Sequence, residues 1–163
     1  MLYRLVENTQ LTKTVWRMKL AGDTSAIKAP GQFVQLTVPG FYLRRPISIC
    51  NWDEETITLV YKVVGQGTEA MSAMKIGMEL DVLNGLGNGF DTSRCGDKPL
   101  LIGGGVGVPP MIGLCRQLLA EGKHPTVLAG FNTASEVFLK DAVDAMGPPF
   151  VLATMDGSAG VKG

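Results

Sequence analysis

The stretch Leu100-Leu-Ile-Gly-Gly-Gly-Val-Gly-Val-Pro-Pro110 decides the fold of this chain. Its apolar start predicts a buried strand, its glycines predict a tight turn, and its prolines predict the start of a helix, where a missing N–H costs little. Backbone N–H groups at such a turn bind phosphate, because glycine lets the anion approach without a Cβ in the way. The sequence therefore predicts a dinucleotide phosphate site built on Gly103, Gly104, Gly105 and Gly107. The GxGxxG pattern is incomplete, since Val108 stands at its third position, and a turn that binds no ligand is the alternative.

The residues after this turn continue an alternation of strand and helix. Apolar runs of strand length lie at residues 99–103, 126–130 and 150–154, with helical patterns between them at residues 110–121 and 136–146. This order predicts a parallel sheet covered by helices. Thr133-Ala-Ser-Glu136 has capping-box spacing and predicts the start of the second helix. Three strands and two helices make half of a usual nucleotide-binding domain, so we expect the natural protein to continue beyond the glycine-rich loop at residues 156–163.

The first half of the chain has the period-two pattern of an antiparallel sheet. Predicted strands lie near residues 2–7, 14–20, 32–38, 47–51, 56–62 and 78–83. Short strands at this spacing favour a small barrel over a sandwich. A helix is predicted at residues 68–75, with Thr68 as its N-cap and with Ala70, Met71 and Met74 on one face. The glycine-rich loop at residues 84–89 predicts a domain boundary, with a barrel domain at residues 1–95 and a partial α/β domain at residues 96–163.

Composition argues against several classes of function. Fifteen basic residues balance fifteen acidic residues, so no net charge attracts the chain to nucleic acid or to anionic lipid. The N-terminus lacks the apolar core of a signal peptide, and no apolar run reaches the ~20 residues that span a bilayer, which predicts a cytoplasmic protein with no membrane partner. Cys50, Cys95 and Cys115 show no metal-binding spacing, and His124 is predicted to be a surface residue, so neither a metal site nor a histidine triad is expected.

A second candidate site precedes the glycine turn, in Arg44-Arg-Pro-Ile-Ser48. Pro46 cannot donate in a strand ladder and therefore marks a strand edge or start. Arg45 and Ser48 are then expected to point at a common region. There the guanidinium of Arg45 could bind a pyrophosphate, and the hydroxyl of Ser48 could form a hydrogen bond with a ring nitrogen. Two solvated arginines on a turn are the alternative.

Two further segments are candidates to complete this second site. Val60-Tyr-Lys62 offers an aromatic face and a cation, and Gly65-Gln-Gly67-Thr68 offers free amides and a hydroxyl at the start of a helix. Taken in isolation, Tyr61 is better explained as an ordinary half-buried aromatic of a sheet. The choice of dinucleotide is suggested further along, where Gly130-Phe-Asn132 ends a strand with neither an acid nor an arginine beside it. The missing cation favours NAD(H) over NADP(H).

These motifs, in this order, resemble the ferredoxin–NADP reductase superfamily, and within it the electron transfer subunits of class 1B dihydroorotate dehydrogenases. The similarity rests on the strings RPIS at residues 45–48, GQGT at residues 65–68 and GGGVGVPP at residues 103–110, together with the loop at residues 83–90. The resemblance implies an N-terminal antiparallel β-barrel that binds FAD and a C-terminal, truncated α/β domain with a parallel sheet that binds NAD.

By matching motif positions, the resemblance also implies two sets of cofactor-binding residues. FAD would contact Arg45, Pro46, Ile47, Ser48, Val60, Tyr61, Lys62, Gly67 and Thr68, and NAD would contact Gly103, Gly104, Gly105, Gly107, Val108 and Pro109. Ile47 stands where many superfamily members place a flavin-stacking tyrosine. Ser48 is the candidate catalytic residue, through a contact to the flavin ring near N5.

The function implied by the resemblance is an electron relay. A hydride passes between NAD(H) and FAD, and single electrons pass to an FMN-containing dihydroorotate dehydrogenase catalytic subunit through a [2Fe-2S] cluster. Members of the family hold that cluster with four cysteines in a C-terminal segment, so the cluster is expected only in a longer form of the chain. The alternatives are a stand-alone NAD(P)H-dependent flavin oxidoreductase and a non-catalytic nucleotide-binding module.

Overall fold

Six antiparallel strands close into a barrel in the first half of the chain. The structure is a computed structural model that describes residues 1–163. The barrel strands are β1 (Leu2–Gln10), β2 (Val15–Ala21), β3 (Phe33–Leu36), β4 (Arg45–Trp52), β5 (Thr56–Lys62) and β6 (Glu79–Leu86). They follow the order β1-β2-β5-β4-β3-β6, and β6 pairs with β1 to close the ring. The predicted barrel and its six strands are confirmed, although β6 runs through Leu86 and takes up the first half of the loop predicted at residues 84–89.

Four parallel strands form a separate sheet in the second half. They are β7 (Leu100–Gly104), β8 (Thr126–Phe131), β9 (Phe150–Thr154) and β10 (Val161–Lys162), in the order β10-β9-β8-β7. Helix α2 (Val108–Ala120) connects β7 to β8, and helix α3 (Lys140–Met146) connects β8 to β9. The predicted parallel sheet with helical crossovers is confirmed. The short strand β10 is an addition, because the sequence predicted only a loop after residue 155.

The capping box predicted at residues 133–136 does not start a helix. Thr133 makes no side-chain cap, and residues 134–136 form a single 3-10 turn. Leu139 then has a φ of +62°, a left-handed conformation in which a right-handed helix cannot continue, so α3 begins only at Lys140. The segment in between is anchored by Phe138, which is buried and packs edge-to-face on Phe131.

Helix α1 (Gln66–Ser72) covers one end of the barrel, and its start differs from the prediction. Gly65 occupies the N-cap position, and Thr68 is the third residue of the helix. Met71 is fully buried in the barrel core, with Met74 buried and Ala70 half-buried beside it. The predicted apolar face is therefore confirmed, and the chain enters the helix at the glycine before it.

Helix α2 joins the two halves by packing directly on the barrel. Cys50 and Val60 on the outside of the barrel share an apolar cluster with Ile112, Cys115 and Leu118 of the helix. Gly113 lets the two backbones approach, because a Cβ at this position would lie 3.0 Å from the carbonyl oxygen of Cys50. The glycine turn at the start of α2 is thereby held against β4 and β5.

The three thiols differ in their exposure, and we expect their reactivity to follow. Cys50 and Cys115 are buried and Cys95 is half-buried. Burial raises the pKa of Cys50 to about 12, so only about one part in ten thousand is thiolate at pH 8. Iodoacetamide at pH 8 should therefore alkylate Cys95 first, with Cys50 protected until the chain unfolds. Peptide mass spectrometry with and without guanidinium measures this order, and equal labelling of Cys50 and Cys95 in the folded protein would contradict it.

No helix in the structure combines the length and the apolar character needed to cross a membrane.

Candidate cofactor sites

Strands β4 and β5 pair over only part of their lengths, which leaves an opening in the barrel wall. The two strands pair from Trp52 opposite Ile57 only as far as Ile49 opposite Leu59. Beyond that point, residues 45–48 pair with β3 alone, and residues 60–62 pair with β2 alone. Each segment therefore keeps one backbone edge without a strand partner, and such an edge presents N–H and C=O groups to a ligand. Two of the segments predicted to bind one cofactor face this common slot.

A cavity of about 440 Å³ lies beside the slot and is organised around Arg45. The guanidinium stacks over the ring of Phe41 at 5.0 Å from the ring centroid, and Nη1 donates to the Leu43 carbonyl at 2.6 Å. On its other side lies Gly67, whose missing side chain makes room, because a Cβ there would lie 2.1 Å from Nε of Arg45. The structure thus brings Arg45, Gly67 and Thr68 to one cavity, with the cation held in place and its remaining N–H groups available to an anion.

The hydroxyl of Thr68 is used within the turn. It accepts the N–H groups of Val64 at 2.9 Å and Gly65 at 3.3 Å, and it donates to the Gly65 carbonyl at 3.0 Å. A hydroxyl has one donor and two acceptor sites, so all of them are occupied. The predicted hydroxyl contact to a ligand is therefore replaced by a structural role. What the turn offers instead is the unpaired N–H groups of the first helical residues.

Arg45 and Ser48 do not point at a common region, contrary to the prediction. Side chains alternate between the two faces of a strand, so residues three apart in β4 lie on opposite faces. Ile47 packs against the barrel core, whereas Pro46 and Ser48 are exposed on the outer face. A ligand that reaches both Arg45 and Ser48 must therefore extend along the strand.

Tyr61 does not offer an aromatic face to a ligand. Its side chain is 2% exposed inside the barrel, and its hydroxyl donates to Oδ1 of Asn8 at 3.2 Å. Burial raises the pKa of this hydroxyl, which remains protonated. The side chain of Val60 is also buried, on the α2 side of the barrel. A ligand at residues 60–62 can therefore meet only the backbone of Val60 and Tyr61, and the alternative reading of Tyr61 as a sheet aromatic is correct.

A second cavity, of about 500 Å³, lies between the barrel and the carboxyl ends of the parallel strands. Lys62, at the end of β5, forms part of its barrel wall together with Thr12 and Thr14. On the opposite wall are the ends of β7, β8 and β9. Ligands of open α/β sheets bind outside the carboxyl ends of the strands, so this is the expected place for a nucleotide.

The glycine turn forms one side of this second cavity. Gly104 and Gly105 line it, together with Val106, which the sequence did not single out. Gly103 is buried beneath the turn and Gly107 caps α2, while the side chains of Val108 and Pro109 are buried. The predicted turn is thus divided between residues that face the cavity and residues that hold it in shape.

The sequence missed a carboxylate in the same cavity. Glu136 lines it, although no acid was expected at the end of β8. Oε2 of Glu136 accepts a hydrogen bond of 2.8 Å from the side-chain amide of Asn132. The sequence signal was present but was assigned to a helix cap, since the 3-10 turn that brings Glu136 back to the strand end was not predicted.

Neither cavity has the ligands of a metal centre. Nowhere in the structure do three or more histidine, cysteine or acidic side chains come together to hold a metal ion. The exposed His124 and the three separate cysteines take no part in either cavity.

Comparison with curated proteins identifies relatives of the chain. The dihydroorotate dehydrogenase B (NAD(+)) electron transfer subunit of Fusobacterium nucleatum is 39% identical over 165 residues, which cover 96% of this chain and 63% of that protein. The Bacillus cereus protein of the same name is 38% identical over 167 residues, covering 98% of this chain and 64% of the relative. The chain is a homologue of these electron transfer subunits. It spans somewhat less than two thirds of their length, and no protein-family model matches it.

Solved structures share the two-part fold of this chain. The NADH-dependent reduced ferredoxin-NADP oxidoreductase superposes with a TM-score of 0.87 at 27% identity, covering 100% of this chain and 60% of the other. The ferredoxin reductase in carbazole 1,9a-dioxygenase gives 0.85 at 26% identity, covering 100% and 54%. A ferredoxin NADP+ reductase from Neisseria gonorrhoeae, solved with bound FAD and NADP, shares the fold at 0.83 and 17% identity, covering 100% and 72%. The predicted resemblance to the ferredoxin reductases is confirmed.

Proposed function

We propose that this chain is a flavin-dependent oxidoreductase subunit that passes electrons between NAD(H) and a dihydroorotate dehydrogenase catalytic subunit by way of FAD. The observation that carries the proposal is that the slot next to Arg45 and the second cavity both border strand β5. The edge of β5 borders the slot next to Arg45, and Lys62 at its end lines the cavity at the glycine turn. Two nucleotides bound in this way would meet at residues 60–62.

The residues of the first site suit the parts of FAD. Arg45 would bind the pyrophosphate with its free guanidinium N–H groups, and the N–H groups of Gly67 and Thr68 would assist it. The backbone edges of Pro46, Ile47, Val60, Tyr61 and Lys62 would hold the flavin ring in the slot. Ser48 would donate its exposed hydroxyl to the ring near N5, which makes it the candidate catalytic residue. Bound FAD accepts a hydride and can release its electrons one at a time, so no acid–base residue is required.

The residues of the second site suit NAD. Gly104, Gly105 and Gly107 would present N–H groups to the pyrophosphate at the start of α2. Gly103, Val108 and Pro109 would keep the turn close against the helix. We also propose residues 1–95 as the FAD-binding unit and residues 96–163 as part of the NAD-binding unit, which the two apolar clusters support even though Val15, Cys50 and Val60 belong to the second cluster.

The partner and the cellular site are part of the same proposal. The names of the relatives support a dihydroorotate dehydrogenase catalytic subunit as electron partner, and we propose that this subunit contains FMN. A [2Fe-2S] cluster is proposed only for a longer form of the chain, because the three cysteines here lie apart and two are buried. The cytoplasm is the proposed location.

Reconstitution with FAD and anaerobic titration with NADH test the proposal. We expect bound flavin to bleach on addition of NADH, and electrons to reach the FMN of an added catalytic subunit. Failure to retain FAD would contradict the flavin site. Rapid steady-state reduction of a small soluble acceptor without any partner would contradict the relay and support a stand-alone reductase, and bound flavin that NADH cannot bleach would support a non-catalytic module.

Arg45→Ala should weaken FAD binding by about 10- to 100-fold, because charge-assisted hydrogen bonds to the pyrophosphate are lost. Arg44→Ala is the matched control. The guanidinium of Arg44 is paired with the Asp81 carboxylate and donates to the Asp81 carbonyl at 3.2 Å, so its loss should lower stability by at most about 1 kcal/mol and leave FAD binding unchanged. Flavin fluorescence titration and thermal melts measure the two effects, and equal FAD retention by both variants would remove Arg45 from the site.

A further inference from the structure

Glu136 lines the second cavity near the carboxyl end of β8. The 3-10 turn Ala134–Glu136 follows β8 and returns its last residue to the carboxyl end of the sheet, across from Gly104 and Gly105. In dinucleotide-binding sheets, the pyrophosphate lies at the turn after the first strand and the adenosine ribose lies at the end of the second. Here β7 is the first of these strands and β8 the second, so Glu136 lies where the ribose hydroxyls would be.

The position of the Glu136 side chain is fixed by the chain around it. Asn132 donates its amide to Oε2 at 2.8 Å, and the N–H of Glu136 donates to the Thr133 carbonyl at 3.1 Å. The turn is also tied to the loop after β9, because the N–H of Ala134 donates to Oγ of Ser158 at 2.7 Å. Oε1 of Glu136 has no hydrogen-bond partner in the chain, so it is free to accept a hydrogen bond from a ligand.

The charges in the cavity set what can bind next to Glu136. A carboxylate accepts hydrogen bonds from a diol and repels a phosphate. Lys62 is the only cationic side chain that lines the cavity, and it lies on the barrel wall. Lys140, the nearest cation along the chain, is paired with Asp144. No cationic side chain other than Lys62 lines the cavity to neutralise a phosphate at the ribose position.

We propose that Glu136 makes this site selective for NAD(H) over NADP(H), by accepting hydrogen bonds from the adenosine ribose diol and repelling a 2′-phosphate. The inference rests on the proposed function, since it assumes that the second cavity binds a nicotinamide dinucleotide. It changes the basis of the predicted preference for NAD(H) over NADP(H), which rested on the absence of a cation alone. Asn132 acts as a positioning residue that orients the carboxylate.

The test is direct binding of the two oxidised dinucleotides to the full chain. Calorimetric titration of NAD+ and NADP+ should give tighter binding of NAD+ to the unmodified protein. Glu136→Gln keeps the shape of the side chain and removes its charge, and we expect it to lower the ratio of the NADP+ to the NAD+ dissociation constant by at least about tenfold. Glu54→Gln is the control, because it makes the same charge change at an exposed turn of the barrel outside both cavities.

The outcomes separate this inference from the proposed function. An unchanged ratio in Glu136→Gln, with a thermal melt like that of the unmodified protein, would overturn the role of Glu136 while leaving the relay intact. Equal affinity of the unmodified protein for NAD+ and NADP+ would also overturn it. Selective NAD+ binding that Glu136→Gln abolishes, in a protein whose flavin NADH cannot bleach, would uphold the inference and contradict the relay.

Discussion

Gly67→Ala is expected to abolish the retention of FAD. The new methyl group would lie 2.1 Å from Nε, 2.5 Å from Nη2 and 2.6 Å from Cζ of Arg45, which is closer than real Cβ atoms come to other heavy atoms. The guanidinium is confined on its other face by Phe41, so relieving the clash requires the flexible end of Arg45 to leave the position it holds in the cavity. The variant therefore loses the cation from the position where it would bind the pyrophosphate. We expect the dissociation constant of FAD to rise at least about 100-fold, equivalent to about 2.7 kcal/mol.

Two further variants make the origin of this effect measurable. Gly96→Ala is the control, because a Cβ there meets no heavy atom within 4 Å and the residue lies outside both cavities. Adding Gly67→Ala to Arg45→Ala should cost little more than Arg45→Ala alone, since the clash disappears with the guanidinium. Fluorescence titration of FAD against the unmodified protein, the two single variants and the double variant gives the coupling, with Gly96→Ala titrated as the control. A Gly67→Ala protein that binds FAD normally would show that Arg45 is not held where the structure places it.

The second large effect is expected at Gly103, and it concerns stability. A Cβ there would lie 2.8 Å from Cα of Val108 and 2.9 Å from both the nitrogen of Val108 and the carbonyl oxygen of Gly107. These are backbone atoms at the start of α2, and Val108 itself is 1% exposed, so the helix cannot yield without disturbing the core. Gly103→Ala should lower the free energy of unfolding by about 1–3 kcal/mol, the usual cost of overpacking. Urea denaturation followed by circular dichroism measures it.

The neighbouring glycine provides the contrast. A Cβ on Gly104 meets no atom within 4 Å, and the residue has an ordinary extended φ of −113°, so Gly104→Ala should fold as well as the unmodified chain. Gly104 does line the second cavity, where an added methyl group would keep a pyrophosphate away from the turn. Weaker NAD+ binding at unchanged stability is the expected result. If Gly104→Ala proved the less stable of the two variants, the division of the turn into supporting and binding residues would be wrong.

The elements were predictable from the sequence because their patterns are local. Alternating apolar residues identified every barrel strand, and the run at residues 100–104 identified the first strand of the sheet. The opposite orientations of Arg45 and Ser48 were also accessible, since strand periodicity alone separates residues three apart. The burial of Tyr61 could not be predicted from the sequence, because it depends on which face of β5 turns inward when β5 pairs with β2 and β4.

The parts of the site that the sequence missed depend on contacts between distant residues. The slot exists because β4 pairs with β5 only from Ile49 onward, while residues 45–48 pair with β3 alone, and no local pattern encodes where the pairing with β5 begins. Glu136 was assigned to a helix start because its spacing from Thr133 fits a capping box. The left-handed Leu139 delays the helix, and the loop after β9 holds the turn through Ser158, so the carboxylate faces the cavity instead.

The contact of Gly113 with the carbonyl of Cys50 has a consequence for electron transfer. This contact joins the helix that begins at the glycine turn to the strand that carries residues 45–48, backbone against backbone, so that no flexible linker intervenes. If FAD and NAD bind as proposed, the relative position of the two nucleotide sites is set by this backbone contact between barrel and helix. The two nucleotides would then meet on binding, and no movement of the barrel relative to the parallel sheet would be needed to bring them together.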